Sequence, residues 1–280
     1  MRAWKRPAPD AAPVSAHAET VVLGEFVRPT RRHWAGIAFQ LALRTFRLRY
    51  LRSRLGVGWM FVQPLVQTAV LAFIFTRVFS AGGVEHYPLY VLSGIVTWQA
   101  FSTAVAAGTT AVVDNSALLR KVPMPASLFP ISQVVSVAMV LAAQYVVLAV
   151  MAGGLRTAGW ELLLLPLVVG MLVFTALGVS LLTSALHVGL RDVKFVVEAL
   201  LLVAFYASPI LYSATMVPDR LLPWLQLNPM YGVLVTARTA LLGEPFSWYA
   251  LSVGAAVACG LAIVGSLTFR RMSPAFPDLA

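Results

Sequence analysis

Long apolar runs, broken by short polar or proline-containing stretches, recur from about residue 59 to residue 269. Uncharged runs of about 20 residues fit a helix that crosses a bilayer, whereas barrel strands alternate over about ten residues. Only helices and closed barrels satisfy their backbone polar groups in lipid. The pattern therefore predicts an all-α polytopic membrane protein with six transmembrane helices, at about residues 59–76, 87–108, 128–151, 162–186, 194–211 and 248–269.

Two further segments have apolar character without a continuous span. Residues 34–55 show helical spacing, but five arginines interrupt them, which predicts an amphipathic helix on the inner membrane surface. Residues 212–245 are rich in Pro, Trp and Tyr, which predicts re-entrant helices before the last span. The predicted domains are a flexible cytoplasmic tail (1–33), an amphipathic interface helix and turn (34–58), a transmembrane domain (59–270) and a cytoplasmic tail (271–280).

Composition supports the membrane class. Hydrophobic residues make up 59% of the chain and charged residues 11%, with a mean hydropathy of +0.81, which lies outside the range of soluble globular proteins. A net charge of +10 is also typical of proteins that bind nucleic acid, but eleven of the 21 basic residues precede Trp59, where anionic lipid headgroups attract them. We therefore predict contacts with membrane lipids and no nucleic-acid partner.

The distribution of Lys and Arg predicts the orientation. With six spans, seventeen basic residues fall on the side of the amino terminus and four on the other side. Cytoplasmic loops carry the excess of Lys and Arg in membrane proteins. Both termini are therefore predicted to lie in the cytosol.

The sequence lacks the motifs that zinc enzymes, metal sites and ATPases require. The sequence has no H-E-x-x-H zinc motif, its four histidines lack ligand spacing, and its eleven carboxylates lie in tails, loops or span ends. No G-x-x-x-x-G-K-[ST] phosphate loop is present, so we predict no catalytic residue, no metal site and no ATPase motif. Energy for uphill transport would have to come from another subunit.

Residues 114–121 (DNSALLRK) form a candidate cytoplasmic contact. Asp114 or Asn115 can cap a short helix whose last turn carries Arg120 and Lys121, and prolines follow it. An ordinary solvated turn that obeys the positive-inside rule explains the same residues, and capping chemistry alone does not decide between the two.

Taken together, several segments resemble the membrane subunit, or permease, of the ABC-2 class of ABC exporters, in the polysaccharide branch that exports O-antigen, capsule and teichoic acid precursors. The resemblance is carried by residues 49–59 (RYLRSRLGVGW), 87–94 (YPLYVLSG), 115–121 with Pro123, Pro125 and Pro130, 191–192, 208–210 with Tyr212, and 228–230 with Arg238. These fragments follow the family's order across six spans.

The resemblance implies a bacterial plasma-membrane exporter for a lipid-linked polysaccharide such as O-antigen. It implies a homodimer that encloses a channel, above two copies of a separate ATPase that supplies ATP and Mg. This chain would hold no cofactor of its own. The predicted ATPase-coupling residues are Asn115, Leu118, Leu119, Arg120, Lys121 and Pro123.

Two substrate hypotheses follow. Aromatic rings at the span ends would guide sugar faces along the channel; the candidates are Trp59, Phe61, Trp98, Phe101, Phe205, Tyr206 and Tyr212. The guanidinium groups of Arg44, Arg47, Arg49 and Arg52 would receive the pyrophosphate of a polyprenyl-linked glycan. An interfacial aromatic belt and simple binding of anionic lipids explain the same residues. Alternative functions are an ABC-2 exporter of lipids or drugs, or a channel or enzyme that works without ATP.

Overall fold

The structure is a computed structural model that describes residues 31–50, 54–77, 86–122, 124–157, 159–218 and 220–276. Within these ranges the chain forms helices and no strand. The α-helices are α1 (Arg31–Tyr50), α2 (Trp59–Arg77), α3 (Tyr87–Asp114), α4 (Ser116–Lys121), α5 (Leu128–Gly154), α6 (Leu165–Gly189), α7 (Val193–Ala207), α8 (Leu222–Gln226), α9 (Tyr231–Leu242) and α10 (Trp248–Met272). Short 3₁₀ turns cover Gly56–Gly58, Trp160–Leu164, Ala214–Met216 and Ser273–Ala275.

Five of these helices in the described ranges are long and apolar enough to cross a membrane: α2, α3, α5, α6 with its preceding 3₁₀ turn, and α10. The predicted all-α multi-span architecture is confirmed. The fifth predicted span, at about residues 194–211, corresponds to α7, which has 15 residues. At about 1.5 Å per residue such a helix is shorter than the roughly 30 Å hydrocarbon core.

The core of the bundle is built around α3. It packs against α2, α5, α6, α7 and α9, and its buried residues include Val91, Ile95 and Ala104. Helices α6 and α10 pack closely because glycines meet at their crossing, where a Cβ added to Gly265 would overlap the backbone of Gly178. Small residues at helix contacts let backbones approach, which is the usual way membrane helices associate.

The bundle has two chemically different ends. At one end α3, α6 and α10 share an apolar cluster that includes Val112, Val188 and Phe276. We call this the basic end, because Arg120, Lys121, Arg191, Arg270 and Arg271 lie beside it in the chain. At the opposite end the start of α3 meets the residues that follow α7. We call that the tyrosine end, after Tyr87, Tyr90 and Tyr212.

The predicted interface helix is present as α1, and it packs along α5. Its buried residues are the small Ala38 and Ala42, while Phe39 and Leu48 are exposed. The large apolar side chains of α1 are therefore only partly buried, since close packing on α5 uses the alanine face. Depth in a membrane is still a prediction for α1.

Residues 212–245 contain short helices, as predicted: one 3₁₀ turn, α8 and α9. Helix α9 is buried along almost its whole length. The re-entrant placement of these helices in the outer leaflet stays a prediction.

Candidate functional site

The link between α3 and α4 lies at the basic end. Asn115 occupies the position before α4, and its carbonyl accepts hydrogen bonds from the amides of Leu118 and Leu119 at 3.0 and 3.1 Å. Its side chain points the other way, with Nδ2 donating to the Ala111 carbonyl at 2.8 Å. Asn115 therefore occupies the predicted N-cap position of α4, but its side chain makes no capping hydrogen bond there and closes the end of α3 instead.

Helix α4 has an apolar side and a charged tip. Leu118 and Leu119 are half-buried, and Leu119 packs against the apolar cluster of the basic end. Arg120 and Lys121 are exposed in the last turn. Pro123 lies outside the described residues. This arrangement is compatible with a docking element, and contact of these residues with an ATPase stays a prediction.

The arginines of α1 meet the same link. Arg44 and Arg49 are exposed, and with Asn115 and Ser132 they line a cavity of about 440 Å³ between α1, α5 and the end of α3. Arg47 is exposed on α1, and Arg52 lies outside the described residues. The structure thus brings together part of the predicted headgroup site and part of the predicted coupling segment.

A groove runs between α2 and α7. Its cavity of about 610 Å³ is lined by the predicted channel aromatics Trp59, Phe205 and Tyr206, together with Gln63 and Gln67. Trp59 and Tyr206 are 48% and 66% exposed. We call this surface the α2–α7 groove.

The other predicted channel aromatics occupy different places. Trp98 and Phe101 are buried, and the Trp98 ring centroid lies 5.5 Å from that of Phe101 and 5.9 Å from that of Phe205. They form the core layer behind α7. Phe61 is half-buried on α2, and Tyr212 is half-buried at the tyrosine end. A channel-lining role for each of these residues stays a prediction.

A second, more polar cavity of about 390 Å³ lies between α1, α2, α3 and α5. Arg49, Gln63, Gln99, Thr103 and Gln144 contribute its polar side chains, and we call it the glutamine pocket. These glutamines and Thr103 were not among the site residues predicted from the sequence. The available signal was an amide inside an apolar run, since polar residues within spans face protein or a water-filled cavity.

The tyrosine end contains a buried cation. Arg238 of α9 is 2% exposed, and its guanidinium carbon lies 3.6 Å from the Tyr90 ring centroid. Its Nη2 donates to the Ile210 carbonyl at 3.1 Å. A Cβ added to Gly94 would lie 3.1 Å from the Ile210 side chain, so α3 has little room for a larger residue there. Such stacking over an aromatic face stabilises a desolvated cation.

Further hydrogen bonds join the same three segments. The Tyr87 hydroxyl donates to the Leu211 carbonyl at 2.9 Å, and Asn228 Nδ2 donates to Ser208 Oγ at 2.9 Å. Residues 87–94, 208–210 and 228–238 therefore meet in one junction, although they are far apart in the sequence. Just outside it, burial raises the pKa of the Glu244 carboxyl, and the positive charge of Arg238 partly offsets that rise.

Comparison with known proteins decides the family. The family model of the ABC-2 type transporter matches residues 38–242, which run from within α1 to the end of α9. The chain belongs to the ABC-2 type transporter family.

Curated relatives cover most of this ABC-2 permease. It is 31% identical over 207 residues to the O-antigen export system permease protein RfbA of Myxococcus xanthus, covering 72% of this chain and 79% of that protein. It is 23% identical over 239 residues to RfbA of Klebsiella pneumoniae, covering 84% and 92%. The polysialic acid transport protein KpsM of Escherichia coli is 23% identical over 209 residues, covering 72% and 80%.

Membership confirms the predicted class. An ABC-2 permease is a membrane transport subunit without an ATPase domain, and it works with a partner ATPase subunit. Among the described residues, α4 and the adjoining cavity supply exposed basic groups that such a partner could contact.

Proposed function

We propose that this ABC-2 permease exports a lipid-linked cell-surface polysaccharide, such as O-antigen, across the bacterial plasma membrane. The observation that carries the proposal is the α2–α7 groove, where aromatic rings and amides share an exposed face of a span. Sugar rings present apolar faces and hydroxyl groups, and both find partners on such a surface. The names of the relatives, O-antigen export and polysialic acid transport, favour the same substrate class.

The proposed topology has six spans and both termini in the cytosol. The basic end would face the cytosol, because Lys and Arg are concentrated in cytoplasmic segments. Helix α7 would act as the fifth span in chain order despite its length, with residues 208–211 completing the crossing. Helices α8 and α9 would then dip into the outer leaflet beside the tyrosine end.

The proposed assembly contains two copies of this chain and two copies of the ATPase, which binds ATP and Mg. Helix α2 exposes Leu65, Val66, Val70 and Phe73 on the same helix as Gln63 and Gln67. Lipid would accept the apolar residues but not an amide. A second copy that covers α2 would enclose the two α2–α7 grooves as one channel.

The proposed loading step uses the basic end. Arg44 and Arg49 would bind the pyrophosphate of a polyprenyl-linked glycan, because the arginine fork matches phosphate oxygens. Asn115 lines the same cavity, so a substrate bound there would lie next to α4 and the ATPase. Anionic lipid headgroups would compete for the same arginines.

The function can be tested by deleting the gene for this chain in its own host. We expect loss of the surface polysaccharide, with lipid-linked precursor accumulating on the cytosolic side, and restoration by the intact gene. Mutation of the partner ATPase should give the same phenotype. Normal surface polysaccharide in the deletion strain would contradict the proposal. A change in lipid or drug efflux instead would favour the alternative that the chain is an ABC-2 exporter of lipids or drugs.

A further inference from the structure

The function proposed so far uses Arg49 and Gln63 at the edges of the glutamine pocket, but it gives the pocket itself no role. Gln63 and Gln67 lie on α2, Gln99 on α3 and Gln144 on α5, all within candidate spans. Amides are costly in hydrocarbon unless they face protein, water or a polar ligand. Four of them around one region of the bundle need a physical explanation.

Two hydrogen bonds account for only part of the hydrogen-bonding capacity. Gln99 Nε2 donates to Gln67 Oε1 at 2.7 Å, and Gln144 Nε2 donates to the Met60 carbonyl at 2.6 Å. Each glutamine amide has two donors on its nitrogen and an oxygen acceptor. In the described part of the chain, Gln67 Nε2, Gln99 Oε1 and Gln144 Oε1 have no hydrogen-bond partner.

Gln63 differs from the other three. It is exposed, and it makes no hydrogen bond to any residue that the structure describes. Together with Trp59 it lines both the glutamine pocket and the α2–α7 groove. The two cavities therefore flank α2 and share these two side chains, so a ligand bound at Trp59 and Gln63 would border both cavities.

The lining restricts the ligand chemistry. The pocket volume of about 390 Å³ falls within the roughly 300–1,000 Å³ of small-ligand sites. Amides and the exposed Thr103 hydroxyl supply both donors and acceptors. Arg49 is the one charged residue that lines the pocket in the described chain, and no carboxylate does. This set is unsuited to a coupling cation and suited to neutral hydroxyl groups.

We propose that the glutamine pocket binds neutral sugar units of the exported polysaccharide, through hydrogen bonds between its amides and the sugar hydroxyls. The Trp59 ring stacks on a sugar face at the point where the pocket joins the α2–α7 groove. Arg49 marks the pocket wall nearest the proposed pyrophosphate site. This inference rests on the proposed function and assigns the sugar contacts to glutamines as well as aromatics.

The test measures surface polysaccharide in a host strain whose own copy is replaced by variants. Gln63→Leu and Thr103→Val each remove hydrogen-bonding groups from side chains that are not part of the packed core. We expect export to fall about five- to tenfold for each, as for the loss of a ligand hydrogen bond, with normal amounts of permease and ATPase in the membrane. Gln63→Asn should retain more export than Gln63→Leu. The matched control is Phe174→Leu, an exposed span residue that lines neither cavity.

A second measurement does not depend on the substrate. In a Cys259→Ser background, Gln63→Cys should react with a charged, membrane-impermeant thiol reagent. Phe174→Cys should stay unreacted, since we expect this exposed position of α6 to face lipid. Unaltered export in both Gln63→Leu and Thr103→Val, or an unreactive Gln63→Cys, would overturn the inference while the proposed function stands. Failure of the unsubstituted permease to export polysaccharide would overturn the proposed function itself.

Discussion

Helices α2 and α3 are neighbouring spans of similar composition with opposite surroundings. Their most apolar windows have mean hydropathies of 1.6 and 1.3, yet 22% of the α2 window is buried and 78% of the α3 window. The less apolar helix is thus the more buried one. In lipid, apolarity does not separate a protein-facing helix from an exposed one, because both environments are apolar.

The two helices also handle their polar residues differently. In α3, Ser93 Oγ donates to the Tyr90 carbonyl at 2.8 Å and Thr97 Oγ1 to the Ser93 carbonyl at 2.7 Å. Hydroxyls satisfied by their own helix can enter an apolar core without an unpaired group. In α2 the side chains are longer amides: Gln63 lines the glutamine pocket, and Gln67 accepts a hydrogen bond from Gln99 of α3. We conclude that α3 is the framework helix and α2 forms a wall of the groove.

The largest effect is expected from a bulky residue on α3. A Cβ on Gly108 would lie 2.5 Å from the Ser180 side chain, so Gly108→Leu should prevent α3 and α6 from packing. We expect no folded permease by fluorescence-detected size-exclusion chromatography. Ala69→Leu, at an exposed position on α2, should behave like the unsubstituted chain. Equal loss of folded protein for Gly108→Leu and Ala69→Leu would contradict the difference in packing between α3 and α2.

A smaller effect is expected at the tyrosine-end junction. Tyr90→Ala removes a ring that is 1% exposed and leaves Arg238 without its aromatic partner. Large-to-small changes of buried aromatics cost about 3–5 kcal/mol of unfolding free energy. Thermal unfolding in detergent should show a clear fall in Tm. Phe73→Ala, on the exposed face of α2, should shift Tm little, and a comparable shift would show that α2 is packed as tightly as α3.

The smallest effect compares two buried threonines. Thr97 Oγ1 of α3 is hydrogen-bonded to the Tyr145 hydroxyl at 2.7 Å, so Thr97→Val should cost about 1 kcal/mol of unfolding free energy. Thr68 Oγ1 of α2 is buried and has no hydrogen-bond partner among the described residues. Thr68→Val should therefore leave the stability unchanged or raise it. The reverse pattern, in which Thr97→Val leaves the stability unchanged and Thr68→Val lowers it, would contradict the hydrogen-bond assignment, and thermal unfolding measures both.

Much of the fold could be predicted from the sequence. The starts of α2, α3, α5 and α10 lie at the predicted span starts, because Trp59, Tyr87, Leu128 and Trp248 each follow a polar or proline-containing break. The ends were less accurate: α3 continues to Asp114, beyond the predicted residue 108. Hydropathy describes the length inside lipid, whereas a helix continues into water until a cap or a proline ends it.

The candidate site was only partly predictable. The α1 arginines, α4 and the exposed Trp59 were identified from residue type and spacing. Trp98 and Phe101 have the same residue types as the groove aromatics, yet they lie in the core, since their positions on α3 turn them toward the protein. Nothing in the local sequence distinguishes these two classes of aromatic residue.

The sequence by itself determined that the chain is a helical membrane protein and where α2, α3, α5 and α10 begin. These properties depend on the sum of side-chain transfer energies over about 20 consecutive residues, which is a local quantity. The tertiary structure alone decided which face of each span is covered, that Arg238 lies buried against Tyr90, and that Gln63, Gln99 and Gln144 line one pocket. Those facts depend on contacts between segments that are distant in the chain. They cannot be obtained by summing residue properties along a stretch of sequence.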